Sequence, residues 1–583
     1  MTTTTERAAA ATTAGTAPGQ PTPEPPMGLQ RALPARRRRR RWPDALVLAA
    51  LVVVVALVHA HALTGGPAPA DDEGTYVAQA YAINHFGSLA PYTYWYDHPP
   101  LGWILLALWN ATLGRLGGSS DALDAGREFL VVVASCTGAL IYALARRLGV
   151  RHWAAAAAVL AWALSPLALS YSRMVYLDNI GVPLLLAALV LALSPRRHLW
   201  AFCGAGLLLA GAVLTKETLV LAAPAVGYAV WRTSAGRTRP FCLGAAGATF
   251  VLVLALYPLL ALLRGELLPG PDHVSLVDAL RFQLVTRPSA GSPLSPHSGA
   301  AALVGRWLHS DPWLLAGGVL LAPVAAWRPQ LRPAGLALLI PVIASLRPGY
   351  LPDPFVVALL PFCAVVVAGL ADQLVTAVAL RLGGAGRRTG PLIAPRLAAD
   401  GSGRWTTARG WRRARPALLA GGLASALVAA TALALQPSWS RGDRAIYDDG
   451  SQGTLAAAED WIGAHVPHDA RIVVDDTLWP GLVRRGFDPR RGVIWFYKTD
   501  FSNNLDPSVA RSLPRGYRDF SYVVSSPVIR SALAQLPGGL DEVRAALRYS
   551  VPVAAFGSGD STVEVRRLAV PADAPQLPSP VRP

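Results

Sequence analysis

Apolar runs near 44–64, 128–145, 153–171, 180–194, 199–214, 219–231, 241–263, 313–327, 334–346, 354–378 and 416–435 recur along this chain, separated by polar connections. Repeated apolar stretches of this length predict a polytopic α-helical membrane protein with about eleven spans. Several runs fall short of the roughly 20 residues that a bilayer requires, so they borrow flanking residues or cross a thinned region. Composition agrees, since 52% of the 583 residues are hydrophobic and only 15% charged. The net charge of +17 would suggest nucleic acid in a soluble domain. Here many arginines sit between apolar runs, where they set topology, so the expected partner is the lipid bilayer and not nucleic acid.

Topology follows from those arginines. If every run crosses once, the cytoplasm receives Arg36 to Arg41, "ARRLGVRHW", "SPRRHLW", "WRTSAGRTRP", "WRPQLRP" and the basic segment 381–415. The opposite face receives 65–127, "YSRMVYLDN", "LTKET", 264–312, "RPGYLPD" and everything after 436. The stretch "LGWILLALWNATLG" (101–114) is too short to span; opened by Pro99 and Pro100, it reads as a re-entrant or interfacial helix. Residues 1–42, rich in Thr, Ala and Pro before the arginines, are expected to be a disordered basic cytoplasmic tail ahead of an uncleaved anchor. The membrane domain is expected over 43–436.

Residues 437–583 change character. "TLAAAEDWIGAHV" has helical periodicity, while "RIVVDD", "GVIWFY", "FSYVVSS" and "VPVAAFG" read as buried strands, which predicts a small extracytoplasmic α/β domain. It holds no GxGxxG and no P-loop. Cys136, Cys203, Cys242 and Cys363 fall inside apolar runs without metal spacing and read as small core residues.

The acids of the short loops gather on the outer face, where ionisable groups at membrane ends are costly to keep without a use. "DDEGTY" (71–76) places Asp71, Asp72 and Glu73 together. One acid suffices to cap a helix starting near Glu73, a role that suits Asp71. Asp72 is a candidate general base, with Tyr76 one turn on. In "YDHPPLGW" (96–103), His98 precedes two prolines, which force an extended backbone and project its ring away from the following helix. Lys216, Arg173 and Arg347 lie at outer span ends, where the two arginines can snorkel to headgroups. Lys216 with Glu217 also reads as an interfacial ion pair, and Asp178 with Asn179 as a helix cap. The aromatics of "PYTYWYDH", Trp95 and Tyr96 among them, read either as an interfacial belt or as a stacking platform for a ligand.

Together these residues resemble the C-type-fold membrane glycosyltransferases. The nearest resemblance is to the protein O-mannosyltransferases of glycosyltransferase family 39 and the aminoarabinose transferases that modify lipid A. Asp72, Glu73 and Tyr76 match an Asp-Glu-x-x-aromatic motif, "HPPLG" matches a His-Pro-Pro-Leu-Gly motif, "SRMVYLDN" places Asp178 at a second acidic motif, and "TKET" resembles a Lys-bearing outer loop. The resemblance covers about 40–380. It departs at Trp103, where the mannosyltransferases carry Lys, and in lacking the sugar-binding trefoil domain of eukaryotic members.

What the resemblance implies is an inverting transfer of a mannose-like hexose from a polyprenyl-phosphate donor to a protein, lipid or glycan hydroxyl, at the outer face of a bacterial plasma membrane. Asp72 and Glu73 are then the catalytic acids, and Lys216, Arg173, Arg347 and His98 the donor-phosphate contacts. Asp178, Tyr76, Tyr96, Tyr350 and Glu217 are the substrate contacts. A divalent metal between Asp72 or Glu73 and Asp178 fits these acids, though no His-rich cluster demands one. A transporter or lipid flippase is the rival, but its midplane charges and repeated halves are not seen in the sequence; a non-catalytic sensor or assembly protein is a second.

Overall fold

The computed structural model describes residues 42–90, 96–113, 121–270, 273–382, 407–499, 511–536, 538–575 and 577. The expected tail and its arginines, the aromatics at 91–95 and most of the basic segment 381–415 lie outside the described residues. The chain divides after Ala45, and the body below is 46–583.

Every predicted apolar run is helical. In chain order the helices of the first part are α1 (Trp42–Ala60), α2 (Asp71–Phe86), α3 (Leu101–Thr112), α4 (Ala122–Arg147), α5 (His152–Ala163), α6 (Pro166–Arg173), α7 (Leu177–Ala192) and α8 (Leu199–Thr215). They continue with α9 (Ala223–Thr233), α10 (Arg239–Leu254), α11 (Leu256–Leu263), α12 (Leu276–Arg281), α13 (Gly299–Ser310), α14 (Pro312–Trp327), α15 (Arg332–Ser345), α16 (Leu360–Leu382) and α17 (Thr407–Tyr447). Among the described residues, four stretches, Ala122–Arg147, Arg239–Leu263, Asp353–Leu382 and Leu418–His465, are long and apolar enough to cross a bilayer. The run predicted at 153–171 is a pair, α5 and α6, bent by 64°; counted as one span it makes a fifth. The bend follows from Pro166, whose ring cannot continue a helix but suits the first position of the next, with the Ser165 hydroxyl accepting from Ala168 N at 3.3 Å. Six further apolar helices are shorter, α3 among them: its 12 residues reach roughly 18 Å.

One core runs through α1, α4, α5, α7, α8, α9 and α14 to α16, from Val55 and Ile141 to Leu189, Phe202, Leu338 and Phe362. With lipid outside, close approach rather than water exclusion holds such helices together. At the α8–α10 crossing, a Cβ on Gly206 would collide with the Ala246 carbonyl oxygen, so only glycine lets these backbones meet.

The second part begins later than the predicted 437, because α17 runs on through Pro437 to Tyr447. Then come α18 (Ser451–His465), β1 (Ile472–Val474), α19 (Trp479–Arg484), β2 (Val493–Trp495), β3 (Tyr522–Ser525), α20 (Pro527–Gln535), α21 (Asp541–Arg548), β4 (Ser550–Phe556) and β5 (Val563–Leu568). The sheet order is β2-β1-β3-β5-β4, with β1 parallel to β2 and β3, and β5 antiparallel to β3 and β4. Successive side chains alternate between two cores. Ile472, Val474 and Trp495 face α18 and α19, while Val473, Ile494 and Val523 face α20 and α21. Burial on both faces explains why these strands read as unbroken apolar runs.

Candidate active site

Asp72-Glu73-Gly74-Thr75-Tyr76 open α2, where a helix turns by roughly 100° per residue. The helix starts at Asp71, two residues before the expected start near Glu73, so Ala70 and not Asp71 holds the N-cap position. Asp72 lines a cavity of about 220 Å³, with His98, Lys216, Glu217, Arg287, Arg347 and Tyr350 on its other walls.

Local breaks in the helices bring these side chains inward. α8 ends at Thr215 and Lys216 takes an extended backbone (φ −147°, ψ 116°) before a 3-10 turn, Glu217–Ala222. Lys216, Glu217 and Thr218 thereby all reach the cavity wall. His98 enters as its Pro-Pro context requires, and its ring stands between two charges, Nδ1 3.2 Å from Glu217 Oε2 and Nε2 3.3 Å from Lys216 Nζ. The ammonium can only donate, so Nε2 accepts and, in the neutral ring, the network assigns the proton to Nδ1, which donates to Glu217. Burial pushes the Glu217 carboxyl up, but His98 and Lys216 overcome it and hold the group below the usual carboxylate range. Burial opposes the Lys216 charge, yet Glu217, Asp178 and Asp72 raise its pKa above the ordinary lysine value. Lys216 is therefore a permanent cation under a cavity that Asp72 overlooks.

Tyr76 packs edge-on against His98, centroids 5.8 Å apart, with Lys216 Nζ 6.0 Å from the tyrosine ring. Asp178, second residue of α7 and not its cap, is fully buried behind this group and feels the charges of Lys216, Glu217 and His98. Tyr76 Oη, Asp178 Oδ2 and Thr218 Oγ1 are buried without a hydrogen-bond partner among the described residues. Of these, Thr218 belongs to the cavity wall, whereas Tyr76 and Asp178 do not line it; an unpaired buried polar atom at the wall is what a site built for a polar ligand presents.

Three predicted site residues go elsewhere. Glu73 is fully buried, both carboxylate oxygens gripped by Arg127 (Nε–Oε1 3.0 Å, Nη2–Oε2 3.0 Å) and Oε1 also taken by Val175 N at 3.0 Å. With three of its roughly four lone-pair sites taken and no exposed side-chain surface, Glu73 has a structural role here: it fastens α2 to α4 and to the α6–α7 link and does not line the cavity. Arg173 is buried and donates to the carbonyls of His61 and Ala62 at 2.8 and 2.5 Å, closing the last turn after α1 rather than meeting a phosphate. Tyr96 donates to Glu266 at 2.7 Å and packs on Tyr257, tying its loop to the end of α11, away from the cavity lining. Trp103, at the position of the mannosyltransferase lysine, is wholly buried against Tyr76, Tyr176 and Ile180. Among the described residues no three His, Cys, Asp or Glu side chains converge on a metal-sized site.

Arg287 was not foreseen. It follows a π-helical turn, Phe282–Thr286, stacks 3.4 Å from the Tyr350 ring centroid and donates to Gln283 at 2.6 Å. The cavity wall therefore carries three fixed cations, Lys216, Arg287 and Arg347, facing Asp72 and Glu217.

Residues 97–260, which include His98, Asp178, Lys216 and Glu217, match the family model described as dolichyl-phosphate-mannose-protein mannosyltransferase. The structure of ArnT from Cupriavidus metallidurans bound to undecaprenyl phosphate superposes with a TM-score of 0.52 at 17% identity, over 92% of this chain and 99% of that one. The chain has the C-type glycosyltransferase fold. Weaker likenesses of this C-type chain extend to the Archaeoglobus fulgidus oligosaccharyltransferase (TM-score 0.47, 13% identity, 89% of this chain and 75% of that one). They also reach the S. cerevisiae Pmt1–Pmt2 complex bound to its sugar donor (TM-score 0.32, 19% identity, 43% and 38%). None of the curated proteins compared matches the sequence.

Proposed function

We propose that this chain is an inverting glycosyltransferase that moves a mannose-like hexose from a polyprenyl-phosphate donor to a protein, lipid or glycan hydroxyl at the outer face of a bacterial plasma membrane. The observation that carries the reading is one cavity in which Asp72 faces Lys216, Arg287 and Arg347. In the transfer, the acceptor oxygen attacks the anomeric carbon, the carbon–oxygen bond to the phosphate breaks, and the acceptor proton passes to Asp72. The leaving group is already a phosphate anion, so it calls for fixed cations more than for an acid, and the three cations answer that need. Thr218 Oγ1, on the cavity wall and unpaired among the described residues, is a hydrogen-bonding group at hand for the sugar.

Purified protein, incubated with a panel of radiolabelled polyprenyl-phosphate sugars and membrane acceptors, is expected to consume one donor and release free polyprenyl phosphate. No transfer from any member of the panel sinks the proposal. Lys216→Gln is expected to weaken donor binding roughly 10- to 100-fold, the worth of a hydrogen bond to a charged group, read as a Kd for the lipid phosphate.

The orientation that goes with this reading has eleven spans, residues 1–42 in the cytoplasm and 437–583 outside. Ser558→Cys, at an exposed loop between β4 and β5, is expected to react with a membrane-impermeant thiol reagent in intact cells beyond the level of the unmodified chain. Labelling only after lysis reverses the orientation.

A further inference from the structure

The α/β part of this chain meets the acid-bearing helix α2, the residues just ahead of it and the arginine that holds it. Ahead of α2, Asp449 Oδ2 accepts from Ala68 N at 2.9 Å. In the first turn, Gln452 Oε1 accepts from Arg127 Nη1 at 3.0 Å, and Arg127 in turn holds Glu73. Farther along, the Thr75 hydroxyl donates to Asp476 and lies 2.9 Å from Tyr497 Oη. Below Thr75, Ala78 and Ala82 are buried in the same cluster as Ile472, Trp479 and Trp495. Gly74, Thr75, Ala78 and Ala82 thus form a stripe of small residues at helical spacing, and it is pressed onto the sheet domain. A Cβ on Gly74 would stand 2.6 Å from Asp476 Oδ1 and 2.7 Å from the Asp476 carbonyl carbon.

The place of contact is informative. Asp476 follows β1 and Tyr497 follows β2, at the carboxyl ends of parallel strands beside the point where strand order reverses. Open α/β sheets bind their ligands in that crevice. Here the crevice holds a helix of its own chain.

We infer that the C-terminal domain is a clamp for α2, with Gly74, Thr75, Gln452 and Asp476 as positioning residues that hold Asp72 over the cavity; this rests on the transferase reading above. The donor cations belong to other elements, Lys216 after α8, Arg287 after the π-helical turn and Arg347 after α15. Loosening the clamp therefore misplaces the base and leaves the phosphate contacts in place. A displacement of about 1 Å at a reacting group costs on the order of 10²-fold in rate.

The test uses the full-length protein carrying Gly74→Ala, Thr75→Val, Thr75→Ser or Asp476→Ala. Hydrogen exchange of the 71–86 amides is expected to rise at least about tenfold in the first two and in Asp476→Ala, with kcat falling roughly 10- to 100-fold and donor Kd unchanged. Thr75→Ser, which keeps the hydroxyl, is expected to behave as wild type. Unchanged α2 exchange in Gly74→Ala and Asp476→Ala, with β1 and β3 still protected, overturns the clamp. So does a rise in donor Kd with kcat intact. If Gly74→Ala unfolds the sheet, the Thr75→Val and Thr75→Ser pair decides. If the wild type transfers no sugar, the transferase reading fails, while the exchange measurement still decides the clamp.

Discussion

Asp72→Asn is expected to lower kcat for sugar transfer by about 10² to 10⁴, the usual worth of a positioned general base, while leaving the Kd for the polyprenyl-phosphate donor within about twofold. The split follows from the layout of the cavity. Asp72 sits on α2, whereas Lys216, Arg287 and Arg347 sit on other elements, so removing the carboxylate's charge takes away the proton acceptor without touching the phosphate contacts. Asparagine keeps the shape and a hydrogen-bonding oxygen, so α2 is expected to hold its place. A purified Asp72→Asn variant that transfers sugar at the wild-type rate would show that the base lies elsewhere. A loss confined to donor affinity would instead make Asp72 a binding group.

Arg127→Met is expected to produce the opposite signature, a loss of fold. Arg127 and Glu73 have no exposed side-chain surface, and methionine leaves the Glu73 carboxylate buried with Val175 N as its remaining partner. Breaking such a pair from one side costs about 3–5 kcal/mol, because an uncompensated charge stays in a low-dielectric interior. The expected result is a markedly lower thermal midpoint in detergent, with α2 the first region to lose exchange protection. The double variant Arg127→Met, Glu73→Leu is expected to recover much of that loss, since it removes both charges and fills the space. A single variant as stable as wild type would mean that water or another group already satisfies Glu73.

Much of the site was legible because its parts are short and local. His98 before two prolines, Lys216 at a helix break and Asp72 one turn before Tyr76 depend on neighbours within a few residues, and the structure brings them together. The part played by Glu73 is not legible in the sequence, because adjacent acids look alike in one dimension. Their roles divide only when Arg127, 54 residues on, is placed. Arg287 was hidden for a similar reason, since its meaning comes from Tyr350 across the cavity mouth and nothing near it in the chain points there. The helices of the membrane part were found through apolar runs, whereas the break at Pro166 was merged into one span. In the C-terminal part β5 was overlooked, although Val563 and Val565 alternate with Glu564 and Arg566 as a strand with one buried face should.

The five residues that open α2 carry a further consequence. Neighbours in sequence, they answer to the cavity, to Arg127, to the sheet domain twice and to His98, and only the pitch of the helix keeps those assignments apart. Inserting or deleting one residue there would turn every later side chain by roughly 100° and exchange all the partners at once. Length in this stretch is therefore far less negotiable than chemistry, and a homologue could vary the acid's neighbours sooner than their number.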